Sequence, residues 1–346
     1  MFKKSISIGI IVLFLFCNIS FTTLSDENSG NLSGKTLYVG GSGEGNYTKI
    51  QDAIDDASDG DTVFVYSGTY YVNVNFIEIN NSIELRGQSR NKTVIKALAD
   101  SVLFINKSNV SISNFTFENF WILCGPTKIE EAVKKFYNIE ISNNRIKNSI
   151  CLFIENCNNV KISGNTFSPK KDNLTWGILS NYNSNAKIEN NVISGFMVGL
   201  SITDGNVVKN NFIQNNIIGL QTWVFDESLY PCVISENNFI NNVLHSRFGL
   251  LYSSLISKYI SSICKNNIIN NYMSKDKDNF HLKNKNLLTY IKWNGNYWDN
   301  WMGIGPKYIF GNIFFLGPLG PFFPLPMVNL DWHPAKEPYD IPFPEV

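Results

Sequence analysis

The segment "ISNNRIKNSICLFIENCNNVKISGNTF", from Ile141 to Phe167, contains Ile-Ser-Asn-Asn and, one lap later, Ile-Ser-Gly-Asn. The Ile-x-x-Asn unit recurs along the chain and reads Asn144, Asn165, Asn191, Asn211, Asn238, Asn267 and Asn296, with Phe115 at the Asn position of an earlier copy, "ISNFTF". The steps between copies are 29, 21, 26, 20, 27, 29 and 29 residues. They describe a lap of ~20–22 residues carrying insertions of variable length, the mark of a solenoid.

Within the laps, Gly177-Ile178, Gly199-Leu200, Gly219-Leu220 and Gly249-Leu250 open short apolar segments, and Cys151-Leu152 fills the same slot one lap earlier. Each lap therefore holds strand-like pieces separated by Asn, Gly and Ser corners. One lap cannot bury its apolar face alone. Stacked on a neighbour it can, each strand pairing in parallel with its equivalent ~4.8 Å along the axis. Asparagine tolerates the left-handed backbone of a tight corner, and stacked side-chain amides bond to one another along a ladder. The asparagines are thus read as a structural ladder, and the fold class as an all-β, parallel β-helix solenoid.

The ends differ from the middle. Lys3 and Lys4 precede an apolar run from Ile6 to Phe16, and small residues follow before Asp26. This predicts a secretory signal over residues 1–25, shorter in its apolar part than the ~20 residues of a membrane span. Tyr47 to Ser58 predicts an amphipathic helix with Ile50, Ala53, Ile54 and Ala57 on one side and a capping box at Thr48 and Gln51. The helix is expected to cap the first coil of a domain spanning residues 35–301. Residues 302–346, rich in Gly, Pro and Phe, are expected to wrap irregularly over the last coil, with Trp298, Trp301, Phe314, Phe315 and Trp332 covering it. Insertions read as loops include Leu244 to Phe248 and Met273 to Thr289.

Lys+Arg and Asp+Glu both number 29, so no basic field recruits nucleic acid. No other stretch after the signal is long and apolar enough to span a membrane. Five of the six cysteines remain once the signal is removed, an odd number without a CxxC, which reads as mostly small buried side chains. Cys124 and Cys151 fall on neighbouring laps, so one bridge between them is expected to be within reach.

The stretch "YTKIQDAIDDASDGDTVFVYSGTYY", the Ile-x-x-Asn-x-Ile laps and "GNYWDNW" together resemble right-handed parallel β-helix repeat proteins, pectin-lyase-like in fold, and among them exported NosD-like proteins of archaeal type. The resemblance covers nearly the whole chain from about Lys35. It implies the fold, and it leaves lyases, hydrolases, epimerases and non-catalytic surface proteins all open.

A lyase of this fold would need carboxylates to hold Ca²⁺ and an Arg or Lys base. The chain has only four Arg, and Arg145 is the one inside a lap. A hydrolase would need two or three converging carboxylates. The second outward row of the Gly-led segments reads Glu155, Asn181, Thr203 and Trp223, which offers one carboxylate. Asp204, Asp226 and Glu227 lie just beyond it as weak catalytic candidates. The copper handling implied by the NosD-like resemblance would need clustered soft ligands, and His245, His281 and His333 are far apart in sequence. Trp176, Tyr182 and Trp223 are placed to stack on sugar rings. The expectation is a secreted or cell-surface protein whose polar face, between aromatics, binds polysaccharide or surface components, without metal or cofactor. A polysaccharide lyase or glycoside hydrolase is the alternative, and copper handling the more distant one.

Overall fold

The computed structural model describes residues 34–344, apart from 74–75, 126–134, 150, 171–174, 182–184, 204, 226–231, 243, 252–260, 265–266, 270–278, 282–290, 314–315, 318–319 and 322–324. The laps are coils of three short strands, and equivalent strands of successive coils pair in parallel. The first face is an 11-stranded sheet running from Thr36–Val39 to Ile291–Asn294. A second face runs from Gly68–Val72 to Tyr297–Trp298, and a third from Phe76–Ile79 to Lys307–Ile313. The strands Thr93–Ile105 and Thr116–Cys124 contribute to both, and the register shift between Lys96 and Ser101 marks the corner they turn.

The interior follows from strict alternation within very short strands. On the first face Leu85, Ile112, Ile141, Ile162, Ile188, Val208 and Ile234 stand opposite one another coil after coil, and all are buried. Each such side chain contributes about 1.5–3 kcal/mol of burial, realised only when the next coil is in place.

The corner after the first face explains the paired asparagines. The first residue of each pair adopts a left-handed backbone: φ is 66° at Asn114, 52° at Asn143, 57° at Asn190, 56° at Asn210 and 56° at Glu236, with Gly164 doing the same at 66°. The second turns inward and is buried. Asn144, Asn165, Asn191 and Asn211 form one column in which each side-chain oxygen accepts the backbone N–H of the preceding coil's residue, at 3.0 Å from Phe115, 2.8 Å from Asn144, 3.0 Å from Asn165 and 3.0 Å from Asn191. The amide nitrogen of Asn191 also donates to the carbonyls of Ile162 (2.9 Å) and Glu189 (3.0 Å). Every polar atom of these buried amides is therefore used, which removes the cost of burying them.

The next member of the column is Asn237, not Asn238: the Asn211 N–H donates to Asn237 Oδ1 at 2.9 Å. In "ISENNF" the position three residues after the inward Ile234 is Asn237, whereas Asn238 opens the second-face strand opposite Phe212. Asn267 pairs with Asn238, so it too stands one place beyond the column. Asn296 precedes Tyr297, which pairs with Asn267, and so returns to the ladder position, fully buried. A second ladder, not anticipated, occupies the corner between the second and third faces. Asn216 Oδ1 accepts from the Phe196 N–H (2.9 Å), and Asn242 Oδ1 from that of Asn216 (3.1 Å).

Other expectations change in detail. The N-terminal helix spans only Ile50–Asp55, and its N-cap is Lys49 without a side-chain cap bond. Gln51 instead reaches across to Glu78, donating to its carbonyl and accepting its N–H, both at 3.0 Å. Ile50, Ala53, Ile54 and Ala57 are buried as the periodicity predicts. Gly177 and Gly199 share a column where the chain comes very close to itself: a Cβ on Gly177 would lie 2.4 Å from the Gly199 carbonyl oxygen. Gly249 leaves that column and stands opposite Trp223. The segment read as a loop from Leu244 to Phe248 belongs to the strand Leu244–Leu251. Parallel pairing continues past residue 301, with Asn279 opposite Asn312, and the tail read as irregular holds an antiparallel pair, Lys307–Ile313 with Leu325–Asp331. Trp298 is buried and Trp301 packs on the core, while Trp332 is 63% exposed. Phe314 and Phe315 lie outside the described residues.

Candidate functional site

The outward row Glu155, Asn181, Thr203 and Trp223 has the expected register, with Glu155 opposite Asn181 and Ile202 opposite Thr222. It is not an open face. Asn181 and Thr203 are buried, as are Ser201 and Gln221 in the neighbouring row. Glu155 is half-buried, and burial raises its carboxyl above the ordinary glutamate range. Trp176 begins the strand Trp176–Asn181 and is half-buried. Tyr182, Asp204, Asp226 and Glu227 lie outside the described residues, and for Trp223 only the strand placement, within Ile218–Phe225, is described.

The second face is covered at its later coils, where Phe343 packs on Phe212, but its earlier coils are partly exposed and gather charge. Tyr71 stands opposite Lys96, Lys96 opposite Glu118, and Glu118 opposite Lys147. The Glu118 carboxylate bridges the two lysines, 3.1 Å from Lys96 and 3.9 Å from Lys147. Two residues before Lys147, Arg145 stands opposite Thr116. The Thr116 hydroxyl donates to the carbonyl of Arg90 at 2.6 Å and pins the corner that carries Arg90 beside this column. The Arg90 guanidinium donates to Asn143 Oδ1 at 3.3 Å. Burial, and then the like charge of Arg145, hold Arg90 below the usual arginine range.

Among the described residues neither Arg90 nor Arg145 has an ion pair with a carboxylate, whereas Lys96 and Lys147 share Glu118, and Arg86, Lys107, Lys161, Lys170 and Lys209 each pair with an acid elsewhere. Arg90, Lys96, Arg145 and Lys147 against the one Glu118 leave an excess of positive charge on this face of a chain whose formal net charge is +0. Tyr71, 63% exposed, adds an aromatic ring at the head of the column. Of the two, only Arg145 lies within a lap of the sequence repeat. Arg90, fifty-odd residues upstream, joins it because one corner of each coil falls on the same edge of the stack.

A family model described as "Right handed beta helix region" matches residues 75–226. The chain carries a right-handed parallel β-helix. Among curated proteins, none matches the β-helix by sequence. Among solved structures it is similar to the catalytic domain of a GH87 alpha-1,3-glucanase in complex with nigerose, at 13% identity and a TM-score of 0.42, covering 75% of this chain and 62% of that one. It is also similar to the A-module of the mannuronan C-5 epimerase AlgE4 of Azotobacter vinelandii, at 16% identity and a TM-score of 0.37, covering 68% of this chain and 76% of that one. A third is ORF18 of Geobacillus virus E2, at 14% identity and a TM-score of 0.37, covering 77% and 57%. The β-helix thus spans less than two thirds of the glucanase domain and of the viral protein.

The charged face of the β-helix suits an anion. Guanidinium groups bind carboxylate and sulfate oxygens through paired N–H donors, and two of them in one place gain from a ligand that separates their like charges. The described residues do not fit a calcium site: no three His, Cys, Asp or Glu side chains converge among them, and Glu155 is followed in its row by Asn181 and Thr203. Among the described residues no helix is long and apolar enough to cross a membrane.

Proposed function

We propose that this protein is exported and acts at or outside the cell surface, binding an acidic polysaccharide along the second face of its β-helix. The observation that carries the reading is the pair of half-buried guanidiniums, Arg90 and Arg145, which no described carboxylate neutralises. Lys96 and Lys147, two coils apart, extend the positive charge along the axis, and Tyr71 supplies a ring on which a sugar can stack. Tyr71, Lys96 and Lys147 stand in one column along the axis, with Glu118 between the lysines, a line of groups that matches an extended polymer better than a compact ligand. Export rests on the basic-apolar-small leader of residues 1–25, which lies outside the described residues.

Isothermal titration against a polyuronate, a sulfated glucan and a neutral glucan tests the reading. Binding to the acidic polymers is expected, weakened by salt and roughly tenfold weaker in Arg145→Gln. Equal binding to the neutral glucan, or an unaltered Arg145→Gln, overturns it. The alternative, a polysaccharide lyase or hydrolase, draws on Glu155, a carboxyl that burial keeps protonated to higher pH, as a general acid requires. Reducing-end release that Glu155→Gln abolishes would establish it. The copper-handling alternative has no such observation among the described residues.

A further inference from the structure

The sequence leaves a Cys124–Cys151 bridge within reach, but the fold brings Cys124 against another cysteine. Cys124 ends a third-face strand, and one coil later Ile154 stands opposite it. The chain then turns the corner through Asn156, at φ 53°, and begins the next first-face strand with Cys157. That corner closes back on the coil before it: a Cβ on Gly125 would lie 2.6 Å from the Glu155 carbonyl oxygen. The result is a contact of 3.6 Å between Cys124 Sγ and Cys157 Sγ, both buried and in the thiol form, with Cys157 Sγ also 3.2 Å from the Glu155 carbonyl. Cys151, on the coil of Cys157, is buried with its sulfur near the backbone of Leu179 on the following coil.

We propose that Cys124 and Cys157 form a disulfide that staples two successive coils of the β-helix together. In a solenoid each coil is held only by its neighbours, so a covalent tie between adjacent coils acts where cooperativity is weakest. It closes a loop across the insertion 126–134, and the loss of unfolded-chain freedom is correspondingly large. An oxidising compartment supplies the setting, and in that respect the idea rests on the export reading above.

The chemistry is thiol–disulfide exchange with a small disulfide such as oxidised glutathione. The Cys124 thiolate attacks one sulfur of the oxidant, expelling one glutathione thiolate and leaving a mixed disulfide. The Cys157 thiolate then attacks Cys124 Sγ and expels the second. Two electrons pass to the oxidant, and the two cysteine protons pass through solvent to the expelled thiolates, so the oxidant leaves as two thiols. The hydrogen bond with the Cys157 sulfur, and then burial, raise the Cys124 thiol well above its ordinary range, so it is protected in the folded state. The bond therefore forms while the chain is still folding, or through local opening of the corner.

The test uses the full chain, refolded from denaturant in a glutathione redox buffer and in reductant alone. Peptide mapping after rapid alkylation is expected to recover Cys124 linked to Cys157 only from the redox buffer. Thiol titration in denaturant is expected to find two fewer thiols, and the oxidised form is expected to melt several degrees above the reduced form. Cys157→Ala is expected to abolish the linked peptide and the gain in melting temperature together. If the chain does not refold, the same mapping on soluble protein titrated with oxidised glutathione in sub-denaturing urea gives the answer. Recovery of both residues as thiols in redox buffer, or a Cys124–Cys151 link, overturns the proposal. Chemistry that succeeds in the tube, with reduced thiols in protein taken from cells, would overturn the export reading and leave the geometry standing.

Discussion

Asp331 Oδ2 receives the Asn296 backbone N–H at 2.9 Å and the Asn296 side-chain amide at 3.0 Å. These are the two donors that Asn191 offers to Asn211 Oδ1, each at 3.0 Å. A carboxylate from the C-terminal antiparallel pair thus stands where the next ladder amide would. It accepts three more N–H groups, from Gly295 (3.0 Å), His333 (3.2 Å) and the Trp298 indole (3.2 Å). An asparagine could not do this, because its NH₂ would face donors.

The consequence for Asp331→Asn is a loss of stability despite nearly unchanged shape. Two or more buried donors lose their acceptor, at about 1–3 kcal/mol each. Urea unfolding followed by tryptophan fluorescence, to which buried Trp298 contributes, measures it. An unchanged midpoint would show that the last coil is held by packing alone.

Asn190 and Asn191 are neighbours with opposite requirements. Asn190 is exposed at φ 57° and needs only a backbone that tolerates the left-handed region, whereas Asn191 is buried and needs its amide. Asn190→Gly is expected to change stability by less than about 0.5 kcal/mol. Asn191→Gly is expected to cost about 2–4 kcal/mol, since the Asn165 N–H and the carbonyls of Ile162 and Glu189 lose their partners. Chemical denaturation of the two variants side by side decides it, and equal effects would mean that the ladder bonds contribute nothing net.

Glu155 gives a pH dependence with a definite sign. Its folded carboxyl titrates above the unfolded one because burial disfavours the charge. The folded state therefore binds the proton more tightly, and stability falls as pH rises from the ordinary glutamate range through the raised one. Glu155→Gln, which carries no charge at any pH, is expected to raise the thermal midpoint at pH 7 and leave it unchanged near pH 3. Melting curves across that interval check it, and a shift of equal size at both ends would assign the effect to packing instead.

Much of the architecture is legible in the chain because a coil of this size repeats its constraints. An inward Ile, two residues, then an inward Asn is a local pattern, and Ile141–Asn144, Ile162–Asn165 and Ile188–Asn191 display it openly. The pattern fails to choose where asparagines are doubled. Asn237 and Asn238 are chemically identical, and only pairing with the coil below gives the inward place to Asn237. The expected outward row was legible in register, through Glu155 and Asn181, but not in exposure, because burial of Asn181 and Thr203 is a property of what packs over the face.

The amino-acid sequence carries the lap length, the alternation of inward and outward side chains and the residues able to turn each corner, because these depend on contacts a few residues apart. The tertiary structure alone brings Arg90 to Arg145, Cys124 to Cys157 and Asp331 to Asn296, across insertions of different length. Stacking converts distances along the chain into a single spacing of ~4.8 Å along the axis. Which residues meet is then decided by how many lie in each insertion and by which corner each coil turns.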